Sequence, residues 1–426
     1  MRTDADYAAE LDRADALAPF RARFYLRPDT LYFDGNSLGL LSRDAEAAVL
    51  RVLGEWKGLG IDGWLGAPTP WYYLGEELGK LTAPLIGAAP EEVVVTGTTT
   101  VNLHNLVATF YRPAGTRRKI VATALDFPSD LYALRSQLAL RGADPERDLV
   151  LVGSRDGRTI AEEDIVAALT DEVALLLLPS VLYRSGQLFD IAGLSAAARA
   201  RGISAGYDCC HSVGAVPHRF DEWDVDFACW CNYKYLNNGP GGTAGLYVNR
   251  RHFGAAPGLA GWWGSDKARQ FDMTAGFLPA PDAGAWQIST VQVLSSAPLH
   301  GSLAMFEEAG IARVRAKSLT LTRYLMDLLD ATGLTAAPYG YAIGTPREDD
   351  RRGGHVAVEH ADGARIAKAL KARGVVPDFR PPNVVRLAPI ALYTSFADVW
   401  QVVRHLREII DNGEHERFAA GRELVA

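Results

Sequence analysis

A lysine and an aspartate in the middle of the chain are the two residues best suited to chemistry. Asp208 follows a probable strand at residues 203–207, and Lys234, 26 positions later, follows another at residues 226–230. The lysine amine can form a Schiff base with pyridoxal phosphate, and the aspartate carboxylate can keep the pyridine nitrogen of that cofactor protonated. The pair therefore predicts an enzyme that uses pyridoxal 5'-phosphate.

A parallel sheet is the element that must position this pair. Between about residues 90 and 250, short β-rich runs alternate with helical patterns such as residues 191–201. This alternation predicts a parallel sheet between two layers of helices, and ligands of such sheets bind at the carboxyl ends of the strands. Asp208 and Lys234 both lie at strand ends of this kind. The other strands predicted in the sheet are residues 92–96, 119–123, 149–152 and 173–178, and residues 246–248 are a further β-like run that follows a glycine-rich turn.

The two ends of the chain show a different pattern. Residues 1–55 are mostly helical around a glycine-rich turn, and long amphipathic helices with a few short strands between them are predicted after residue 300, at residues 311–329 and 395–410. We therefore predict an α/β protein with two domains. The large domain, with a mostly parallel sheet between helices, would span residues 56–300, and a small α+β domain would combine residues 1–55 with residues 301–426.

The segment after the first strand of the sheet could bind an anion. Thr98, Thr99 and Thr100 stand where a helix is predicted to begin, and the free N–H groups and the dipole of a helix N-terminus attract negative charge. The threonines could also serve as an ordinary helix cap. Together with Asp208 and Lys234, they favour a phosphate site.

Aromatic and histidine side chains near the strand ends could face a cofactor ring. Phe127 could stack on the ring while Asp130 is held by local hydrogen bonds, although their run, Phe-Pro-Ser-Asp, is also typical of a plain turn. His211 could stack over the ring, assist proton transfer or serve only as structure. Tyr233 points away from the neighbouring lysine in an extended segment, and could reach a phosphate or the substrate.

Composition and charge exclude several classes of protein. The 426 residues carry a net charge of -7, and their basic residues form no stripe of the kind that binds nucleic acid. The N-terminus lacks the pattern of a signal peptide, and no apolar run approaches membrane-spanning length. We therefore expect a soluble, cytoplasmic protein that acts on a small molecule.

The four cysteines do not indicate a disulfide framework in a chain of this length. Cys209 and Cys210, with Cys229 and Cys231, could suggest a metal cluster. Neighbouring side chains on a strand face opposite ways, however, and suit a tetrahedral ligand set poorly. We expect no metal, and interpret the cysteines as small buried thiols.

Six segments of the chain resemble the kynureninase family, whose members are pyridoxal-phosphate enzymes with the aspartate aminotransferase fold (fold type I, class V aminotransferase superfamily). The resemblance extends over nearly the whole chain. Its most specific parts are the Gly-Asn-Ser-Leu-Gly motif and the segment around Lys234. The six segments are Leu31-Tyr32-Phe33-Asp34-Gly35-Asn36-Ser37-Leu38-Gly39, Thr100-Val101-Asn102-Leu103, Phe127-Pro128-Ser129-Asp130, Asp208-x-x-His211-Ser212-x-Gly214-Ala215, Tyr233-Lys234-Tyr235-Leu236-Asn237 and Gly261-Trp262-x-Gly264.

The resemblance implies a role in cofactor chemistry for each matching position. Lys234 would form the Schiff base, with Asp208 as the partner of the pyridine nitrogen and Tyr233 as a third catalytic residue. Phe127 and His211 would enclose the cofactor ring. Trp262 and Thr290 would reach across from the second subunit of a homodimer. The phosphate would be held by Thr99, Thr100, Tyr233, Trp262 and Thr290, and Asp130 would be a further cofactor-binding residue.

The resemblance also implies a substrate site. Arg386 would bind the α-carboxylate of an amino acid, since a planar guanidinium pairs bidentately with a carboxylate. Asn36, Ser37 and Trp64 would complete the site. Trp64 together with Thr290 resembles the bacterial pattern that accompanies a preference for kynurenine over its 3-hydroxy derivative.

The reaction implied by the resemblance is the hydrolytic cleavage of L-kynurenine in tryptophan catabolism. Lys234 would remove the Cα proton, and water would add to the side-chain ketone. Cleavage of the Cβ–Cγ bond would then release anthranilate, followed by alanine.

Four positions near this site depart from the family pattern. Pro179 replaces a hydroxyl residue, Leu182 a polar residue and Ser265 a histidine, and Val291-Gln292 replaces a pair that contains proline. The alternative prediction is a related enzyme of specialised metabolism that acts on another β-substituted amino acid, by β-elimination (a C-S lyase) or by decarboxylative deamination of an S-conjugated cysteine. A cofactor-binding regulator without activity is a third interpretation, against which the retained catalytic residues argue.

Overall fold

A sheet of seven strands forms the centre of the fold in the computed structural model, which describes residues 2–421. The strands of the chain are β1 (Leu31–Tyr32), β2 (Val93–Val95), β3 (Lys119–Thr123), β4 (Leu149–Val152), β5 (Val173–Pro179), β6 (Ser204–Asp208), β7 (Phe227–Trp230), β8 (Gly245–Val248), β9 (Ala342–Ile343), β10 (Val356–Glu359), β11 (Val375–Val376), β12 (Asp378–Arg380) and β13 (Val384–Leu387). The helices are α1 (Ala5–Ala14), α2 (Arg43–Leu59), α3 (Gly63–Gly66), α4 (Leu74–Ile86), α5 (Thr99–Phe110), α6 (Pro128–Leu140), α7 (Pro145–Asp148), α8 (Glu162–Ala168), α9 (Ile191–Arg199), α10 (Val293–Ala309), α11 (Ile311–Ala331), α12 (Gly363–Ala372) and α13 (Phe396–Asp411). Among residues 2–421, no helix combines the length and the apolar character that crossing a membrane requires.

The central sheet is mostly parallel. Its strand order is β2-β8-β7-β6-β5-β3-β4, and β8 runs antiparallel to its neighbours β7 and β2. Every residue of β5 is buried, because a run of valine and leucine suits a strand that is covered on both faces. The predicted α/β fold is confirmed, and each predicted strand of this sheet is present with its ends shifted by one residue at most.

Side chains alternate between the two faces of the central sheet. In β7, Phe227 and Cys229 join a core beneath α5 and α6, whereas Ala228 and Trp230 join a core on the opposite face. This period of two follows from the geometry of a strand. The opposite core also contains residues of α4, α9 and α10, so helices cover both faces.

A separate core is built from both ends of the chain. An antiparallel sheet of four strands, in the order β12-β13-β10-β9, packs with α11, α12 and α13. Ala8 of α1 and Phe33 belong to the same core, and β1 pairs in parallel with β11. In contrast, α2 packs against α10. The C-terminal part of the chain is thus tied to the N-terminal segment by packing and by strand pairing.

The four cysteines lie at the ends of β6 and β7 and in the turns that follow. All four are buried and free of disulfides within the described residues. The backbone N–H of Cys231 donates to Cys210 Sγ at 3.1 Å. The prediction of small buried thiols is confirmed.

A glycine in α4 allows this helix to pack closely on β2. A Cβ added at Gly79 would lie 2.1 Å from the carbonyl oxygen of Val93 and 3.0 Å from the Cα of Val94. Both are backbone atoms of a buried strand, so β2 itself would have to shift. This contact fixes the position of the strand that leads into α5.

We expect Gly79→Ala to destabilise the protein by about 1–3 kcal/mol, the usual cost of overpacking a well-packed core. Gly153→Ala is the control, because Gly153 is exposed after β4 and a Cβ added there meets nothing within 4 Å. This control should leave the stability unchanged or raise it by less than about 1 kcal/mol, since alanine restricts the unfolded chain more than glycine does. Thermal unfolding followed by circular dichroism measures both changes, and equal shifts in the two variants would contradict the close packing.

Candidate active site

Asp208 and Lys234 lie together at the carboxyl edge of the central sheet. Asp208 is the last residue of β6, and Lys234 follows the end of β7. The two strands are parallel neighbours, with Asp208 in register with Cys229, so the chain leaves both strands at the same edge. The structure therefore brings together the two residues that the sequence places 26 positions apart.

His211 connects Lys234 to the segment that follows Asp208. Its Nε2 lies 3.1 Å from Lys234 Nζ. Burial lowers the pKa of His211 well below its usual value, and the charge of Lys234 lowers this pKa further. The imidazole is therefore neutral at neutral pH and accepts the hydrogen bond from the lysine. Its Nδ1 is buried without a hydrogen-bond partner in the part of the chain that the structure describes.

Three buried carboxyl groups, those of Asp126, Asp130 and Asp208, form a cluster. Burial raises the pKa of Asp126 to about 7. Burial also raises the pKa of Asp130 well above its usual value, and the nearby charge of Asp208 adds to this effect. Two carboxyl groups in such proximity do not readily both ionise, so the protonated form of Asp130 is favoured. The backbone N–H of Cys210 donates a hydrogen bond to Asp208 Oδ1 at 2.7 Å, so the orientation of this carboxylate is fixed.

The N-terminus of α5 lies beside the segment that follows β6. Gly97, with a φ of 57°, turns the chain from β2 into the helix. Thr98 precedes the helix and makes no side-chain capping hydrogen bond with any described residue. Cys210 Sγ lies 3.9 Å from Thr99 Oγ1, whereas Thr100 is exposed. The first turn of α5 therefore keeps free N–H groups near the site.

The N-terminal Gly-Asn-Ser-Leu-Gly motif docks on the lysine segment. The backbone N–H of Gly39 donates to the carbonyl oxygen of Tyr233 at 2.8 Å. A Cβ at Gly39 would lie 2.4 Å from the carbonyl oxygen of Lys234, so only glycine allows this approach. Asn36 is fully buried, and neither polar atom of its side chain has a hydrogen-bond partner within residues 2–421. The motif thus brings an unpaired amide group and Ser37 to the region of the lysine.

Arg386 is a buried cation in β13, with 1% of its surface exposed. Its Nη1 donates to the carbonyl oxygen of Tyr183 at 2.7 Å, and its Nη2 donates to Ser37 Oγ at 3.2 Å. Arg386 also forms an ion pair with Asp378. Burial lowers the pKa of Arg386 to about 10, which leaves the guanidinium charged at neutral pH. Its Nε has no hydrogen-bond partner among the described residues, so one donor is open.

A cavity of about 660 Å³ adjoins the contacts of Arg386. Ser37, Tyr183 and Phe127 are among its lining residues. Phe127 is 42% exposed, and its ring meets the ring of Tyr183 edge-on at a centroid distance of 5.1 Å. Because Ser37 and Tyr183 also contact Arg386, a ligand of this arginine could enter through the cavity.

Trp64, Trp262 and Thr290 lie apart from the residues described above. Trp262 is 42% exposed, and Thr290 is also exposed. Trp64 and Thr290 line a second hollow, of about 500 Å³, at the surface. Across residues 2–421, no hydrogen bond or ring contact joins any of the three to Lys234. Within a single chain, the structure therefore separates them from the lysine.

The positions that depart from the family pattern fall into two groups. Pro179 ends β5 in register with Asp208. The next residue, Ser180, supplies a hydroxyl that lies 2.6 Å from Ser212 Oγ and 3.2 Å from the carbonyl oxygen of Asp208. Leu182 is 1% exposed and belongs to the core. The other departures line surface hollows that contain Trp262 or Thr290, and they are Ser265, Val291 and Gln292.

Three residues of the site were not predicted from the sequence. Asp378 stands two residues before Arg380 in a short strand, and two opposite charges on the same face of a strand were a usable signal. Asp126 directly precedes Phe127 but lacks a motif of its own. Tyr183 contributes its backbone carbonyl to Arg386, which no side-chain pattern can reveal.

Solved structures of low sequence identity share this fold. The apo structure of a cysteine desulfurase from Thermococcus onnurineus NA1 superposes with a TM-score of 0.78 at 19% identity, and covers 92% of this chain and 98% of that chain. A C-DES mutant with glycine covalently linked to its PLP cofactor gives a TM-score of 0.78 at 17% identity, over 91% of this chain and 98% of that chain. The fold is therefore that of these enzymes, fold type I.

Relatives of high sequence identity identify the family. Residues 314–406 match the family model described as Kynureninase C-terminal domain. Kynureninases from Bacillus thuringiensis subsp. konkukian (strain 97-27) and Geobacillus thermodenitrificans (strain NG80-2) are 57% and 56% identical to this chain, and one from Shouchella clausii (strain KSM-K16) is 52% identical. Each alignment spans 421 residues, 99% of this chain and 98% of the relative. Identity of this extent, over chains that share their whole length, shows that the chain belongs to the kynureninase family.

Proposed function

We propose that this chain is a pyridoxal-phosphate-dependent kynureninase, which uses water to cleave the Cβ–Cγ bond of L-kynurenine and releases anthranilate and L-alanine. The observation that carries the proposal is identity of 57% to a kynureninase over 99% of the chain. A shared fold alone does not determine a reaction, because the site residues do. The arrangement of Lys234, Asp208 and Arg386 supports the same conclusion.

The residues around Lys234 fit pyridoxal 5'-phosphate. The buried carboxylate of Asp208 suits a protonated ring nitrogen, and the free N–H groups of α5 suit a phosphate, with Thr99 and Thr100 as further donors. His211 offers a buried Nδ1 that has no partner elsewhere in the described chain. When bound, the cofactor supplies an electrophilic aldehyde carbon and a ring that withdraws electrons from the substrate Cα.

Lys234 takes the proton from the substrate Cα and returns it later in the reaction. The neutral His211 accepts a hydrogen bond from its amine at 3.1 Å, and this contact keeps Nζ directed into the site without adding a second positive charge. Tyr233 precedes Lys234 in this segment and is partly buried, and we assign it to the cofactor phosphate. We assign Phe127 and His211 to the two faces of the cofactor ring.

Asp208 holds a proton on the ring nitrogen of the cofactor. The backbone N–H of Cys210 donates to Asp208 Oδ1 at 2.7 Å, and the proximity of Asp208 favours the protonated form of Asp130. The fixed N–H donor orients the carboxylate before the cofactor arrives, which reduces the reorganisation that binding requires.

Arg386 binds the α-carboxylate of the substrate. Its open Nε and its charge at neutral pH support this assignment, since a carboxylate pairs most strongly with a guanidinium through charge-assisted hydrogen bonds. We assign Ser37 and Asn36 to the same part of the substrate, because Ser37 already contacts Arg386 and the buried amide of Asn36 is unpaired within the described residues.

We assign Trp262, Thr290 and Trp64 to a site shared between the two subunits of a homodimer. Their separation from Lys234 within one chain supports this assignment. Exposed apolar side chains on α2 and in the segment after it also support an interface there, because exposed apolar surface of this extent is typical of subunit contacts. These side chains are Leu50, Leu53, Trp56, Ile61 and Leu65.

The domain division and the cellular setting belong to the same proposal. A large domain at residues 56–300 and a small domain from residues 1–55 and 301–426 are supported by the separate core that joins α1 to the C-terminal helices. Family membership supports a cytoplasmic location and a place in tryptophan catabolism. The alternative reaction on an S-conjugated cysteine is not favoured, because the relatives of high identity are kynureninases over their whole length.

Replacement of Lys234 tests the assignment of the reactive amine. We expect Lys234→Ala to lower kcat for anthranilate formation by about 10³-fold, as the loss of a general base does, and to remove the visible absorbance of lysine-bound pyridoxal phosphate. Lys119→Ala is the matched control, since Lys119 begins β3 and pairs with Glu172 in a partly exposed contact. Visible absorbance that persists unchanged in Lys234→Ala would overturn the assignment.

The products distinguish the proposed reaction from its alternative. Purified protein loaded with pyridoxal phosphate should convert L-kynurenine to equal amounts of anthranilate, followed by fluorescence, and L-alanine, followed by chromatography. It should release no thiol from an S-aryl cysteine. Release of thiol and pyruvate from that compound, without anthranilate from kynurenine, would establish the C-S lyase instead.

Mixed dimers test whether the site is shared between subunits. Lys234→Ala and a Trp262→Ala/Thr290→Ala double variant should each have low activity when expressed alone. Coexpression with different affinity tags should yield hybrid dimers that regain activity, because one of their two sites then carries neither change. If the hybrid dimers are no more active than the parent variants, Lys234, Trp262 and Thr290 of one chain belong to the same site.

A further inference from the structure

We propose that Asp378 is a positioning residue that holds Arg386 ready for the substrate α-carboxylate, and thereby makes the site selective for α-amino acids over the corresponding amines. This inference rests on the proposed function, in which Arg386 binds the substrate. Its evidence, however, lies in the contacts of the small antiparallel sheet. These contacts are independent of the residues around Lys234.

The strand register places Asp378 directly beside Arg386. The two are cross-strand neighbours in the antiparallel pair β12 and β13. On the other side of β13, the neighbour of Arg386 is Ala357, whose small side chain carries no charge. Directly opposed residues on one face of a sheet lie close enough for their side chains to interact. The ion pair is therefore built into the register of the sheet.

Asp378 joins two arginines and a hydroxyl in one buried network. Its carboxylate forms the ion pair with Arg386 and another with Arg380 at 3.1 Å, and its side chain is fully buried. Ser37 Oγ donates to Asp378 Oδ2 at 3.3 Å and accepts from Arg386 Nη2 at 3.2 Å. Oδ1 lies near Arg380 without a hydrogen bond to any described residue, so Oδ2, which contacts both Ser37 and Arg386, is the oxygen that restricts the guanidinium.

The network leaves one buried nitrogen of Arg386 without a hydrogen-bond partner among the described residues. Nη1 is held by the carbonyl oxygen of Tyr183, Nη2 by Ser37 and Asp378, and only Nε lacks a partner within residues 2–421. A guanidinium has five N–H donors in a rigid plane, so fixing two of its nitrogens also fixes the direction of the third. Asp378 thus holds the Arg386 guanidinium in the orientation in which Nε is the unpaired donor for an incoming carboxylate.

Asp34 is a second buried carboxyl group near Arg386, and it forms no ion pair with the guanidinium within the described residues. Burial raises its pKa, although the nearby charges of Arg386, Arg380 and Lys371 lower that pKa in part. Asp378 is the carboxylate in ion-pair contact with the guanidinium. Without it, a nearly fully buried arginine would lack its paired charge, which is a costly arrangement.

The test compares Asp378→Asn with the wild-type enzyme, both loaded with pyridoxal phosphate. We expect the KM for L-kynurenine to rise by about tenfold or more, with kcat within about threefold, because binding of the carboxylate is weakened and the chemistry at Cα is not. Kynuramine, the amine that lacks only the α-carboxylate, should inhibit both enzymes equally. An unchanged or lower KM would overturn the proposal, as would equal weakening of kynurenine and kynuramine.

Two further variants distinguish a positioning role of Asp378 from a general loss of structure. Glu359→Gln removes another buried carboxylate of the same sheet, paired with Arg158 at 2.7 Å and without contact to Arg386, and should leave the KM unchanged. An equal rise of KM in this control would overturn the proposal.

Asp378→Glu keeps the charge but displaces it by one methylene, and should raise KM less than Asp378→Asn does. Circular dichroism and visible absorbance show whether Asp378→Asn folds. If it does not fold, the KM of Asp378→Glu is the test, and a KM equal to that of the wild type would overturn the proposal.

A binding measurement tests the role of Asp378 independently of the proposed reaction. Calorimetric titration with L-alanine, which carries an α-carboxylate, should show weaker binding to Asp378→Asn than to the wild type by about tenfold. If the wild type forms no anthranilate from kynurenine, the proposed reaction fails, and this titration still decides the role of Asp378. Equal affinity of the two proteins for L-alanine would overturn that role.

Discussion

The parallel pairing of β6 with β7 is the constraint on which the candidate site depends. The pairing makes both strands end at one edge of the sheet, so Asp208 and the segment of Lys234 leave the core side by side. Phe227 and Trp230 anchor β7 in the cores on opposite faces. A shift of one residue in β7 would exchange these faces and turn the lysine segment away, because side chains alternate along a strand.

Burial determines how the charged groups at this edge behave. Burial beside Asp208 favours the protonated form of Asp130, and burial beside Lys234 keeps His211 neutral. A protonated carboxyl group can donate a hydrogen bond and a neutral imidazole can accept one, so each supports its charged neighbour. The same principle applies at Arg386, which remains charged in the interior with a carboxylate beside it.

The site also requires parts of the chain that are far apart in sequence. Gly39 docks on the backbone of Tyr233, and Arg386 reaches both Ser37 and the carbonyl oxygen of Tyr183. The N-terminal motif, the loop after β5 and a C-terminal strand therefore meet around one cavity. Because each contact uses a backbone group or a buried side chain, the site is complete only when the small antiparallel sheet meets the N-terminal motif and the loop after β5.

The sequence by itself determined the central sheet and the residues at its carboxyl edge, because alternation of β-rich and helical runs is local and the edge follows from parallel pairing. The motifs around Lys234 and Gly39 identified the family for a similar reason, since each is a short run of consecutive residues. Only the tertiary structure decided that Asp378 pairs with Arg386, that Tyr183 contributes a carbonyl oxygen, and that Trp262 and Thr290 stand apart from Lys234. Strand register, backbone contacts and exposure arise from packing between distant segments, which no local pattern encodes.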